Sequence, residues 1–226
     1  MIKAMGKLTL VRHGQASFGA ADYDQLSELG ERQCRLLGAY WRGQERRFSA
    51  VLVGTLKRHA QSLAAIDAEL GALPEPLVWP GLNEFDFAAI IRAAHPGELR
   101  RPRDAAEIKH YFRLLREGLR AWIAGETAPE GVPRHADFVA GVTSALDHVR
   151  AHGEGEVLIV SSGGPISTAV AHVLGAPAVA AIELNLQLRN SALTEFVFNA
   201  EKLSLMSFNH LPHLESVGQG DLATHA

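Results

Sequence analysis

The chain has 226 residues, 47% of them hydrophobic, with a mean hydropathy near zero, which is the size and balance of one well-filled α/β domain with room for an insertion. A formal charge of −3 excludes the basic footprint of a nucleic-acid binder or of a protein drawn to anionic membranes. The single cysteine, Cys34, excludes an internal disulfide, and no run reaches the length of a membrane span or the apolar core of a signal peptide, so a reducing cytoplasmic setting is expected.

Residues 7–12 read as a first strand that ends beside His13 and turns at Gly14. Such a junction holds Arg12 and His13 rigidly at the lip of a sheet. Arginine is a permanently charged planar fork suited to phosphate oxygens, and histidine is a nucleophile or base near neutral pH. The pair points to phosphoryl chemistry, although a lone Arg-His-Gly would favour Arg12 as a surface ion-pair partner and His13 as a capped loop residue. After a loop over 16–24, Leu26-Ser27-Glu28-Leu29-Gly30 enters a helix with Leu36, Leu37, Tyr40 and Trp41 at helical spacing. Cys34 lies in that stretch and reads as an inert core thiol.

Residues 50–54 form a short buried-strand pattern, 56–70 a helix and 77–79 a brief third strand. Residues 85–155 are mostly helical, broken at Pro96-Gly97, at Pro102 and in a linker over 125–133. The part at about 85–135 reads as a helical cap inserted into a single domain that spans 1–226. Residues 156–161 are the cleanest buried strand, followed by the turn Ser162-Gly163-Gly164-Pro165 and a small-residue helix over 166–174. Strands over 192–198 and 203–208 form a terminal hairpin, and the tail after His213 is expected to be poorly ordered. The alternation argues for a three-layer α/β/α sandwich with a mostly parallel central sheet. Ligands then belong at the carboxyl ends of the strands, where the turns at 12–14 and 161–164 both lie.

Five segments in register resemble the histidine phosphatase superfamily, in its phosphoglycerate-mutase-like branch. Leu10-Val11-Arg12-His13-Gly14-Gln15 is similar to the branch signature, and Leu26 to Gln33 to its helix entry. Gly54-Thr55-Leu56-Lys57-Arg58 with Gln61-Ser62 resembles the segment that carries a second phosphate arginine. Leu82-Asn83-Glu84 resembles the element that supplies the acid, and the strand ending Ser161-Ser162-Gly163-Gly164 the one that ends in serine, histidine and two glycines. Asn190-Ser191 and Asn209-His210-Leu211 also fall where members have similar residues. Two positions depart from the pattern. Ser162 stands where the family has its second catalytic histidine, and Gly19 where mutase-type members place an asparagine.

The resemblance implies transfer of a phosphoryl group to His13, followed by hydrolysis. His13 must attack as a neutral imidazole, so its other N–H needs an acceptor, which the backbone beside Gly14 is positioned to supply. Arg12 and Arg58 are then the clamp on the phosphoryl oxygens, and Glu84 the acid that protonates the leaving group and afterwards deprotonates water. Ser162 offers a neutral hydroxyl where a histidine would offer charge, and losing one such donor costs on the order of 10²–10³ in rate at comparable sites. The N–H groups of Gly163 and Gly164 partly offset that loss. Gln15 and Ser17 either contact substrate or stabilise the loop.

The expected activity is hydrolysis of a small phosphomonoester, with no cofactor and no metal. A weakly active or non-catalytic phospho-ligand module comes second and a phosphomutase third. A serine-hydrolase elbow at Ser162 fails because Val160 occupies the first glycine position. His148 and His152 have ligand spacing but no indicated third partner. Arg92, His95, Arg100, Arg101 and Arg103 in the cap either meet an anionic substrate or are solvated, and Trp79, Phe85 and Phe87 either line a pocket or belong to the core. Substrate identity and oligomeric state are not legible.

Overall fold

Every strand expected from the sequence is present in the computed structural model, which describes residues 5–17, 24–97 and 103–225. β1 (Gly6–Arg12), β2 (Ala50–Val53), β3 (Leu77–Val78), β4 (Glu156–Ser161), β5 (Leu193–Phe198) and β6 (Leu203–His210) form one sheet in the order β3-β2-β4-β1-β5-β6. The first four of these positions run parallel, and β5 and β6 complete the sheet antiparallel. The strands read as continuous apolar runs because both faces of the sheet are covered. Leu8, Leu10, Leu52, Val157 and Ile159 point to one face, and Val11, Val51, Val53, Leu158 and Val160 to the other.

The second face is covered by α1 (Glu28–Gly43) and α2 (Lys57–Leu70) through Leu37, Trp41, Leu63 and Ile66. Cys34 is fully buried there, and burial pushes its thiol up to about 11, which makes it inert. α1 begins where Ser27 accepts a hydrogen bond from Gly30 N at 3.0 Å, with Glu28 and Glu31 complementing the helix dipole. The first face carries α3 (Phe87–Ala94), α4 (Ala105–Ala124), α5 (His135–His152), α6 (Gly163–Val173) and α7 (Ala180–Gln187). Ile90, Leu115, Trp122, Val142, Ile166 and Ile182 from these helices share one apolar cluster with Leu8 and Ile159.

β1 and β4 are neighbours, but the chain leaves β1 toward α1 on one face and β4 toward α6 on the other. The two connections part at the strands' carboxyl ends and open a crevice, the usual ligand position in such a sheet.

Three expectations are revised or fall outside the described residues. Residues 176–191, given no element from sequence, contain α7. The tail is not loose: α8 (Pro212–Glu215) buries His213 and Leu214 completely. The tail is tied down because the fully buried Gln33 donates to Leu222 O at 2.7 Å and to Thr224 Oγ1 at 3.1 Å, while Asn190 N donates to Thr224 O at 2.9 Å. Gly19, with the rest of residues 18–23, and Arg100 and Arg101 lie outside the described residues. No helix of the described residues is long and apolar enough to cross a membrane.

Candidate active site

In the β1–β4 register Arg12 pairs with Ser161, so His13 and Ser162 leave the sheet side by side. His13 N donates to Ser161 O at 2.9 Å, and His13 O accepts from Ser191 N at 3.2 Å and from Asn190 Nδ2 at 3.4 Å. The ring is buried, with Nδ1 2.7 Å from Gly14 O. A carbonyl oxygen only accepts, so Nδ1 carries the proton and Nε2 keeps its lone pair. Burial foremost, then the charges of Arg12, Arg58 and His59, hold the ring's pKa well below the ordinary histidine range, against a weaker pull from Gly14 O. The result is a neutral imidazole whose free nitrogen is Nε2. Gly14 N donates to Ser62 Oγ at 3.1 Å, and Ser62 donates to Arg58 O at 2.7 Å, which couples the turn to the start of α2.

Arg12 and Arg58 are not solvated: their exposures are 5% and 8%. Arg12 Nη1 donates to Leu188 O. Arg58, in the first turn of α2, pairs through Nη1 with Asp24 Oδ1 at 2.7 Å, and Asp24 Oδ2 accepts from Lys57 N at 2.9 Å. Two buried guanidiniums and the N-terminus of α6 make the crevice favourable for an anion.

Glu84 is half-buried, and its Oε2 accepts from Gly164 N at 3.0 Å. Burial raises its pKa above the usual carboxylate value, opposed by Gly164 N and by the charges of Arg58 and Arg12. A Cβ at position 164 would lie 2.2 Å from Glu84 Oε1 and 2.5 Å from Phe85 Cε1, so only glycine admits this approach. Phe85 packs at ring distances of 5.1–5.2 Å against Phe87, Trp122 and Phe138. Phe85, Trp122 and Phe138 line, together with Thr168 and Ile182, a narrow apolar cleft beside Gly164.

Ser162 is fully buried at the N-cap of α6, and its Oγ is 2.7 Å from Nε2 of His59. Gly163 lies against Asn185 Oδ1. Gln15 faces α1: its Oε1 accepts from Ser27 Oγ at 2.8 Å, and its N–H donates to Gln33 Oε1 at 2.9 Å. Ser17 Oγ donates to Leu26 O at 2.9 Å, closing the same turn. Arg12, His13, Arg58, Glu84, Ser162 and Gly163 therefore converge on one crevice, while Gln15 and Ser17 clamp the turn behind it.

The remaining candidates lie elsewhere. Trp79 donates to Ser144 Oγ at 3.1 Å and neighbours His148, whose ring stacks on His152 at 4.6 Å. Among the described residues no three His, Cys, Asp or Glu are grouped to hold a metal ion. Arg92 and Arg103 are exposed, and His95 faces Glu117 at 3.2 Å. Sequence reasoning missed His59, Asp24 and Asn185. The first directly follows Arg58, and adjacency to a candidate arginine is the one signal that pointed to it.

The family model described as the histidine phosphatase superfamily (branch 1) matches residues 8–211. No curated relative matches the chain at a significant level. Among solved structures, the α-ribazole phosphatase of Shigella flexneri is similar at 21% identity, covering 90% of this chain and 96% of its own, with a TM-score of 0.65. The phosphoserine phosphatase of Entamoeba histolytica in complex with 3-phosphoglyceric acid shares 21% identity over 92% and 99% of the two chains, with a TM-score of 0.63. A phosphoglycerate mutase of Bacillus anthracis shares 17% identity over 97% and 98%, with a TM-score of 0.66. At these identities the likeness is one of fold.

Proposed function

The chain belongs to the histidine phosphatase superfamily, branch 1, and from that premise we propose that it hydrolyses a small phosphomonoester through a phosphohistidine at His13. The observation that carries the reading is the His13 tautomer, with Nδ1–H on Gly14 O and a neutral Nε2 between two buried arginines. In the first step Nε2 attacks phosphorus in line, the ester P–O bond breaks, and Glu84 gives its proton to the leaving oxygen. In the second step the Glu84 carboxylate takes a proton from water, the water oxygen attacks phosphorus, and the P–N bond breaks to release phosphate. Arg12 and Arg58 meet the charge that spreads over the equatorial oxygens in both steps. Ser162 and the N–H of Gly163 complete the cradle, since Gly164 N is taken by Glu84, and the helices α3 and α4 form the cap.

Phosphoserine, 3-phosphoglycerate and α-ribazole phosphate are the natural test esters, given the similar folds, with an activated aryl phosphate as the sensitive probe. Wild type is expected to release phosphate, and His13→Ala to lose at least 10³-fold in kcat/KM. Undiminished turnover in that variant would overturn the reading. A phospho-ligand binder is the second reading, favoured by the neutral hydroxyl of Ser162. It predicts saturable ester binding with no phosphate released by either protein.

A further inference from the structure

Ser162 and His59 form a fully buried pair, 103 residues apart in sequence, and the reaction steps above give His59 no role. A serine at a helix N-cap ordinarily accepts from an N–H of the first turn. Ser162 makes no such bond; Gly164 N goes to Glu84 instead, and the serine hydroxyl meets His59 Nε2 at 2.7 Å.

The proton in that contact can be assigned. His59 Nδ1 is buried with no hydrogen-bond partner among the described residues. A Cβ at Gly54 would lie 2.3 Å from Nδ1 and 2.7 Å from Asn83 Oδ1, but that amide is committed to Thr55, accepting from its N–H at 2.7 Å and donating to its Oγ1. A proton on Nδ1 would be an orphaned buried donor, which folded proteins avoid more strictly than an orphaned acceptor. The proton therefore sits on Nε2 and is donated to Ser162 Oγ. A serine hydroxyl has one proton to give. With its oxygen accepting from His59, that proton is left for a group in the crevice, which His13 shares.

We propose that His59 is a positioning residue that fixes Ser162 as a hydrogen-bond donor to the phosphoryl group carried by His13. The inference rests on the phosphohistidine reading. Burial and then the charge of Arg58 lower the His59 pKa to about 3, so the ring stays neutral and its donor stays in place across the physiological range. The 5.8 Å separation of the His13 and His59 ring centroids keeps the pair within one crevice.

The test compares His59→Phe, which fills the space without a donor, with His59→Gln, whose amide N–H reaches the place of Nε2. With an aryl phosphate, His59→Phe should lower kcat by about ten-fold or more with KM nearly unchanged, the scale of a lost supporting hydrogen bond. His59→Gln should recover most of that loss. Ser162→Ala and His59→Phe should not add, because each breaks the same relay. Additive losses, or wild-type kcat in His59→Phe, would overturn the inference.

A second measurement separates this from failure of the phosphatase reading. Nitrogen-15 NMR of the unliganded wild type should read His59 as the neutral Nε2–H tautomer at pH 6, and an Nδ1–H or cationic ring would overturn the assignment. If no turnover depends on His13, the phosphatase reading falls. Titration with inorganic phosphate then decides: His59→Phe and Ser162→Ala must weaken binding equally, and unchanged affinity in both would overturn the relay.

Discussion

A carboxyl group that gives a proton to an alkoxide and recovers one from water works best when its pKa approaches the working pH. Burial moves Glu84 that way, against Gly164 N and the two arginines. Glu84→Gln should therefore cost at least ten-fold more with alkyl esters than with activated aryl esters, read as a steeper dependence of kcat/KM on leaving-group pKa. Equal losses along the series would remove the acid role. The pH profile has a definite sign. With alkyl esters activity falls at high pH as Glu84 loses its proton, above the usual carboxylate range, and at low pH as His13 gains one, below the usual histidine range. In Glu84→Gln the high-pH limb disappears and the low-pH limb stays. Arg12 and His13 stood out as a strand-end pair suited to phosphoryl chemistry, and Arg58, Glu84 and Ser162 through short segments that resemble those of the histidine phosphatase superfamily; the fold brings all five to one crevice. His59 was not, since a histidine after an arginine in a helix looks like a surface residue until the fold brings Ser162 to it. The Asp24–Arg58 pair was hidden in the same way.

At the scale of elements, the strands were readable because burial on both faces writes them as uninterrupted apolar runs. The tail was not readable. Gly218-Gln219-Gly220-Asp221 has the composition of a loose end, yet just beyond it Leu222 O and Thr224 Oγ1 accept from Gln33, 189 and 191 residues away in sequence. α7 was missed because Ala180–Gln187 is short and carries few polar residues to define a face. The docking has a consequence for stability. Ending the chain after Val217 removes the acceptors of the fully buried Gln33 amide and the partner of Asn190 N, and an unmet buried donor costs about 1–3 kcal/mol. The truncated protein is expected to lose about 2–4 kcal/mol of unfolding free energy, read as a lower urea midpoint. Turnover should fall with it, because Gln33 Oε1 also holds Gln15 N two residues from His13. An unchanged midpoint would mean that the tail only rests on the surface.

For the whole molecule, the burial that keeps His13 neutral is part of a general arrangement. His13, His59 and His213 are all buried with lowered pKa values, the last two at about 3, His213 through burial and then the charge of His210. Each unfolded histidine titrates near 6.5. Below that pH the unfolded chain binds protons that the folded protein refuses, so stability is complete above about 6.5 and is lost as the pH falls. His59 and His213 each contribute about 1.4 kcal/mol per pH unit, together about 3 kcal/mol by one unit below 6.5, and His13 acts in the same direction. Carboxylates do not account for a loss in that window. Glu195 is held far below its ordinary value by His210, Lys7 and Arg46 despite its burial, so its contribution is complete above about 4.5 and falls only below it. Glu84, with a raised pKa, has the opposite sign and gains stability on acidification, but it is one group against three. The urea midpoint should therefore fall steeply between pH 7 and 5.5, and His59→Gln should flatten that slope by about 1.4 kcal/mol per pH unit. A midpoint constant over this range would show that the rings take up protons while folded, and the neutral Nε2 on which the His13 chemistry depends would go with it.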